Sequence, residues 1–277
     1  MSEKPLVSFV MGVYNTKNLD DLKRSVESML KQTYENIEVV ICNDCSTNGV
    51  YEYLVDNYGN NKKITLLRNS KNEGASVARN NALAVAEGEY VAIQDDDDYS
   101  DLTRIEKQVS FLENNPEYAL VSSGLAKFDA DGIWSKIMMK EIPDKRDFKR
   151  FSQHIHAATL FRKECLNAVN GYRIAPETAR GEDYDLFMRI YAYGMRGYNL
   201  QEVLYFYNFN RDLSRHIKYK YKINEAIIRF KGFKALKLPL IDYVFVFRPL
   251  LAGILSERIK QKIKQIRGNK NENNIYQ

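Results

Sequence analysis

Two acidic clusters carry most of the chemistry this sequence can offer. The first is Gln94-Asp95-Asp96-Asp97-Asp98-Tyr99, four carboxylates directly after the apolar run Tyr90-Val91-Ala92-Ile93. Adjacent carboxylates repel one another, and neither a helix nor a strand gains from crowding them. A hard divalent cation relieves that repulsion: Mg²⁺ or Mn²⁺ takes oxygen ligands and keeps positions for water and phosphate. An acidic surface turn is the bland alternative, and the apolar lead-in argues against it. The second cluster is Gly181-Glu182-Asp183-Tyr184-Asp185-Leu186. A carboxylate there can take the proton of an attacking hydroxyl. The same acids also suit a helix N-terminus, where the dipole favours negative charge. Both readings can hold together.

These clusters need elements to position them. Apolar patterning alternates between strand-like and helix-like segments: strands over residues 6–13, 37–42, 64–68 and 89–93, helices over 19–30, 50–58 and 75–86. Such alternation implies βαβ units and a mostly parallel sheet with helices on both faces. Ligands bind beyond the carboxyl ends of such strands. That rule gathers Tyr14–Asn15, Asn43–Asp44, residues 68–72 and Asp95–Asp98 around one crevice. Further on, the pattern predicts a helix over 104–112, a strand over 118–128 turning at Asp131-Gly132, a strand over 154–161, a helix over 183–193 and a strand over 203–209.

Five short segments, in order, give the chain a family likeness. They are Val7-Ser8-Phe9-Val10-Met11-Gly12-Val13-Tyr14-Asn15, Val40-Ile41-Cys42-Asn43-Asp44-Cys45-Ser46-Thr47, Asn72-Glu73-Gly74 leading to Ala78-Arg79-Asn80, Gly88-Glu89-Tyr90-Val91 before the aspartates, and the Gly181–Leu186 cluster. Over residues 5–210 the sequence resembles family 2 glycosyltransferases of the GT-A fold. The resemblance implies a nucleotide-diphospho-sugar transferase fold, a Rossmann-like, mostly parallel central sheet flanked by helices; the pattern of the tail adds a helical amphipathic C-terminal extension. It also implies inverting transfer from a nucleotide-sugar donor, with a UDP-sugar favoured, onto a glycan hydroxyl in capsule, O-antigen or similar polysaccharide synthesis; the basic amphipathic tail adds a lipid-linked acceptor as an expectation. Position by position, Val13, Tyr14, Asn15 and Asp96 fall at the donor site, Asp44 would accept a hydrogen bond from the base, and Asp95 would meet the ribose. Asp97 would ligate the Mn²⁺ or Mg²⁺ that bridges the diphosphate, with Gly74 and Arg79 on the phosphate side; helix packing explains those two nearly as well. Asp183 becomes the general base, with Glu182 its rival. Gln94 stands where the family more often has an apolar residue.

The remaining polar residues are less decisive. His154 and His156 would share a face of their strand, and His216 could complete the metal shell, with Arg211 and Arg215 as phosphate contacts; a lone histidine is more often structural. Cys42 and Cys45 form a C-x-x-C without the second pair a zinc site would want, so two small residues near a strand end is the simpler reading. The chain begins Met-Ser-Glu-Lys-Pro with no apolar signal segment, which points to the cytosol.

Charge is unevenly distributed. Residues 211–277 carry 16 Lys/Arg against 5 Asp/Glu, and the preceding residues 25 against 31. A basic tail argues for an anionic partner, and no nucleic-acid-binding motif accompanies it. Leu255, Ile259, Ile263 and Ile266 fall at helical spacing among basic residues, which suits a helix lying on the inner membrane face. A helical hairpin packed on the body is the alternative. The expected division is therefore a transferase domain over 1–215, split into a nucleotide half (1–100) and an acceptor half (101–215), followed by a basic, membrane-associating tail over 216–277. A nucleotidyltransferase would want a Gly-rich loop after the first strand, which is missing here; a non-catalytic nucleotide-sugar binder is the other alternative. Oligomeric state is unreadable from the sequence.

Overall fold

A computed structural model describes residues 4–209 and 218–254. Four parallel strands build its first half: β1 (Val7–Val13), β2 (Ile37–Asn43), β3 (Ile64–Arg68) and β4 (Tyr90–Ile93), in the order β3-β2-β1-β4. Their connections are helices α1 (Leu19–Leu30), α2 (Val50–Tyr58) and α3 (Ala75–Val85). Side chains alternate across the strands, so Val7, Phe9, Met11 and Val13 enter one core layer while Val10 enters the other. Both faces are therefore covered, as the near-continuous apolar strands require.

Beyond β4 the sheet becomes mixed. It continues through β8 (Leu160–Arg162), β6 (Leu120–Asp129), β9 (Gly197–Asn208) and β5 (Tyr99–Ser100), and β7 (Gly132–Ile137) forms a hairpin with β6. Helices α4 (Arg104–Asn114), α5 (Lys163–Ala168) and α6 (Glu182–Ala192) complete this half. The expected strand over 154–161 shrinks to β8. His156–Ala158 instead form a 3₁₀ turn, closed by the Ala158 N–H on the Ile155 carbonyl (3.0 Å).

The described part of the C-terminal segment begins with α7 (Tyr219–Ala235), which packs across α6. A Cβ on Gly232 would overlap Met188, so the two helices meet closely. Ile228, Phe233, Leu236, Leu238 and Val246 are buried in the same core layer as Phe187 and Ile190. A 3₁₀ helix (Leu240–Phe247) and α8 (Arg248–Ile254) follow. The helical hairpin packed on the body is thus what residues 219–250 form. The basic amphipathic stretch from Leu255 onward lies outside the described residues.

Candidate active site

The parallel register puts the carboxyl ends of β1, β2 and β4 along one edge, with Val13 opposite Asn43 and Val10 opposite Ile93. The loops leaving this edge are tied together by hydrogen bonds. The Val13 carbonyl accepts from the Asp44 N–H (2.8 Å); Asn15, at φ 48°, donates its own N–H to Ser46 Oγ (2.9 Å) and accepts from the Thr47 N–H (2.9 Å). Tyr14 is half exposed beside them. Asp44 is buried, and its carboxylate accepts from Asn69 Nδ2 (2.7 Å), the Glu73 N–H (3.0 Å) and the Gly74 N–H (2.7 Å). It fastens the loop that starts α3. Gly74 sits at φ 93°, ψ 164°, a region open essentially to glycine alone.

The acidic run after β4 divides by environment. Arg104, fully buried, donates to the Ile93 carbonyl (3.1 Å) and Ser100 Oγ (2.9 Å), and Ser25 Oγ donates to the Asp95 carbonyl (2.8 Å), so the backbone is clamped on both sides. Asp95, Asp96 and Asp97 are part-exposed. Asp98 turns inward instead: it is fully buried and accepts the Asn208 N–H (2.8 Å). That corrects its expected place at the crevice. Burial together with the charges of Asp95 and Asp97 pushes its carboxyl well up. Asp96 accepts from the Thr16 hydroxyl, yet burial and its two acidic neighbours push it up to about 7. This frustration between neighbours is what a divalent cation relieves, so the donor set fits a hard metal ion. Among the described residues no three Asp, Glu, His or Cys side chains cluster into a self-sufficient cage. A cation here would rely on one or two carboxylates plus the substrate's phosphates, as Mg²⁺ commonly does.

Arg79 joins this edge to the second acidic cluster. Its guanidinium donates to Asp95 Oδ1 (2.9 Å) and to Glu182 Oε1 (2.9 Å), so the residue expected on the phosphate side spans two carboxylates. Glu182 and Asp183 open α6, where Gly181 is the N-cap and three acids occupy the first turn. Asp183 is pushed up to about 6, first by burial and then by the charge of Glu182, against the opposing pull of Arg79. A cavity of about 350 Å³ lies between the clusters, walled by Arg79, Asp95, Lys127, His156, Asp183 and Tyr205 among others. A second cavity, of about 480 Å³, meets Asp183 from the α7 side and is bordered by Tyr221, Lys222 and Arg229. Asp183 therefore stands at the junction of two cavities.

The histidines do not share a strand face. His154 is buried between Asn199 Oδ1 (2.7 Å) and Tyr191 Oη (2.9 Å), and burial pushes it down to about 4. His156 borders the smaller cavity with Nε2 on Tyr172 Oη (2.7 Å), and burial holds it well below the usual range. Each imidazole is fixed by a neighbouring hydroxyl, and only His156 reaches the cavity. His216, Arg211 and Arg215 lie outside the described residues. Cys42 is buried against Asn69 and Cys45 reaches the Ser70 carbonyl, both as free thiols. Three residues that sequence reasoning missed border the smaller cavity: Lys127, Arg180 and Tyr205. Arg180 immediately precedes the Gly-Glu-Asp motif and takes φ 63°, and Tyr205 Oη accepts the Asp95 N–H (3.2 Å). Only the position of Arg180 beside the motif could have drawn notice.

The parallel half-sheet continued by a mixed half, with helices on both faces, is the GT-A type of fold that the resemblance implied. Comparison with known proteins agrees: the chain belongs to the family described as Glycosyl transferase family 2, whose model matches residues 8–169. It is 34% identical over 265 residues to a putative glycosyltransferase, EpsE, of Bacillus subtilis, spanning 95% of this chain and 94% of that protein. It is 28% identical over 259 residues to WfaP of Escherichia coli, a UDP-Glc:α-D-GlcNAc-diphosphoundecaprenol β-1,3-glucosyltransferase, covering 92% and 98% of the two chains. Among solved structures, Staphylococcus aureus TarS with UDP-GlcNAc superposes with a TM-score of 0.66 at 17% identity, over 88% of this chain and 79% of that one. At that identity the likeness bears on the fold. The protein is a glycosyltransferase.

Proposed function

We propose that the enzyme moves a sugar, with inversion, from a UDP-sugar to a hydroxyl of a lipid-linked glycan acceptor during assembly of a surface polysaccharide. The observation that carries the chemistry is Asp183, a carboxyl raised to about 6 at the junction of two cavities. The smaller cavity reaches the acidic loop and would hold the donor's diphosphate and sugar. The larger would hold the acceptor. In that geometry the acceptor oxygen attacks the anomeric carbon, its proton passes to Asp183, and the bond from that carbon to the diphosphate oxygen breaks. A single displacement inverts the centre without a covalent sugar intermediate. Burial first, and then the neighbouring Glu182 that Arg79 pairs, raise the Asp183 carboxyl toward the range a general base needs.

Asp97, in the crowded run with Asp95 and Asp96, would hold Mn²⁺ or Mg²⁺. When bound, the ion supplies charge stabilisation to the departing diphosphate. Asp44, Tyr14, Asn15 and Val13 line the nucleotide end in this reading, with Asp44 acting mainly through the loop it fastens. UDP as the nucleotide is supported by the ligand of the structural neighbour, and a diphosphate-lipid acceptor by the name of the Escherichia coli relative. Work at the inner face of the cytoplasmic membrane follows from such an acceptor. No helix among the described residues is long and apolar enough to cross a membrane.

The test is release of nucleoside diphosphate from UDP-, GDP- and dTDP-sugars with Mn²⁺ or Mg²⁺, with and without lipid-linked acceptors. Turnover of a UDP-sugar that needs both metal and acceptor, and that Asp97→Ala abolishes, supports the proposal. Donor binding without turnover under every condition would point to a non-catalytic nucleotide-sugar binder.

A further inference from the structure

We infer that residues 240–251 form a preformed apolar platform that seats the enzyme on an anionic phospholipid bilayer. This rests on the membrane-surface reading above and names the surface that does the docking. Leu240, Ile241, Val244, Phe247 and Leu251 are 87%, 73%, 64%, 57% and 62% exposed. Residues 240–247 form a 3₁₀ helix, with three residues per turn, so Ile241, Val244 and Phe247 stack along one edge. Together the five side chains present on the order of 600 Å² of largely apolar surface, at the upper end of the largest patch a soluble monomer leaves to water.

The platform is rigid because its other side is pegged into the body. Asp242 is buried and receives Arg146 Nε (2.6 Å) and Lys149 Nζ (3.0 Å). Val246 is buried, and the Tyr243 ring meets Phe230 and Phe233 of α7 at 5.8 and 6.0 Å. A segment needing only a loose connection would not require a buried, doubly paired carboxylate to fix which edge faces outward.

Charge identifies the occupant. Lys234 and Lys237 just before the platform and Arg248 within it are exposed, and the sequence continues past it with six Lys/Arg against two Asp/Glu over residues 255–277. Exposed apolar side chains flanked in sequence by cations on both sides match the acyl boundary and headgroups of an anionic leaflet. A second copy of the chain would bring the same cations face to face. The platform also continues through Phe230 onto α7, where Ile227, Ile223 and Tyr219 extend the same exposed stripe at helical spacing.

Sedimentation of the full-length protein with vesicles of phosphatidylglycerol and phosphatidylethanolamine, against phosphatidylcholine alone, tests this. The double variant Ile241→Glu, Val244→Glu alters only exposed positions. It should partition at least about tenfold less onto the anionic vesicles while its thermal midpoint stays unchanged. Wild-type partition by the double variant, or equal binding of wild type to both vesicle types, would overturn the inference. So would a wild-type dimer that the variant breaks with vesicle partition unaltered, which would assign the face to a second copy. Independently of that variant, Val244→Trp in a Trp134→Phe background should be quenched by brominated lipid, and an unquenched but vesicle-bound protein would contradict it. None of these readouts needs donor or acceptor, so failure of the transferase proposal would show separately, as absent turnover.

Discussion

Arg79 illustrates how much of the site depends on one side chain between two acids. Asp95 and Glu182 lie on opposite sides of it, and the pairing to Glu182 bridges a separation of 103 residues. Its side chain is 11% exposed, against 31% for Asp95 and 16% for Glu182. Removing the guanidinium leaves two poorly hydrated carboxylates unpaired. We expect Arg79→Ala to cost about 2–4 kcal/mol, below the full loss at a buried pair because Asp95 keeps some water; urea unfolding measures this. Activity should fall further than stability explains, because α6 loses its tether to the acidic loop. Glu182 and Asp183 were legible in the sequence as acids suited both to a helix start and to proton transfer. Their link through Arg79 was not, since nothing local marks partners so far apart. Asp98 misled for the same reason: within a run of four identical residues, only the β9 backbone decides which one turns inward.

At the scale of elements, the first half was legible because buried parallel strands and intervening helices impose unmistakable periods. The second half was less so. The segment 154–161 is short and apolar, and such runs do not distinguish a strand from other buried backbone. Here the Ile155 carbonyl takes both the Ala158 N–H and the Thr159 hydroxyl, which curls the chain before β8. Elements also carry the finest constraint on the proposed donor site. Gly74 needs φ 93° so that its N–H and that of Glu73 both reach Asp44. A Cβ there meets nothing in space, so the cost of Gly74→Ala is purely conformational. About 1–3 kcal/mol of stability should be lost, with weaker donor binding, in thermal melts run with and without UDP.

For the whole molecule, the asymmetry of charge was visible in the sequence, while the seam between body and tail was not. The expected boundary at 215/216 leaves α7 in the tail, yet α7 shares the core with α6. Its exposed Tyr219, Ile223 and Phe230 alternate with buried Ala226, Ile228 and Phe233, a mixture that composition alone does not assign to either side. Truncation after residue 254 should therefore leave a folded enzyme. Truncation after residue 235 should lower the thermal midpoint by several degrees, because Leu236, Leu238 and Val246 leave the core.

The most direct test of the central claim is the pH dependence of kcat/KM for sugar transfer. A base raised to about 6 is protonated below that pH, so the rate should fall as pH drops through 6, about tenfold per unit thereafter. Glu182→Gln keeps an oxygen for Arg79 but removes the charge that helps raise Asp183, so the acid limb should move to lower pH. Asp183→Asn should lower the rate by about 10²–10⁴ with donor binding retained. Full activity in Asp183→Asn would contradict Asp183 as the base.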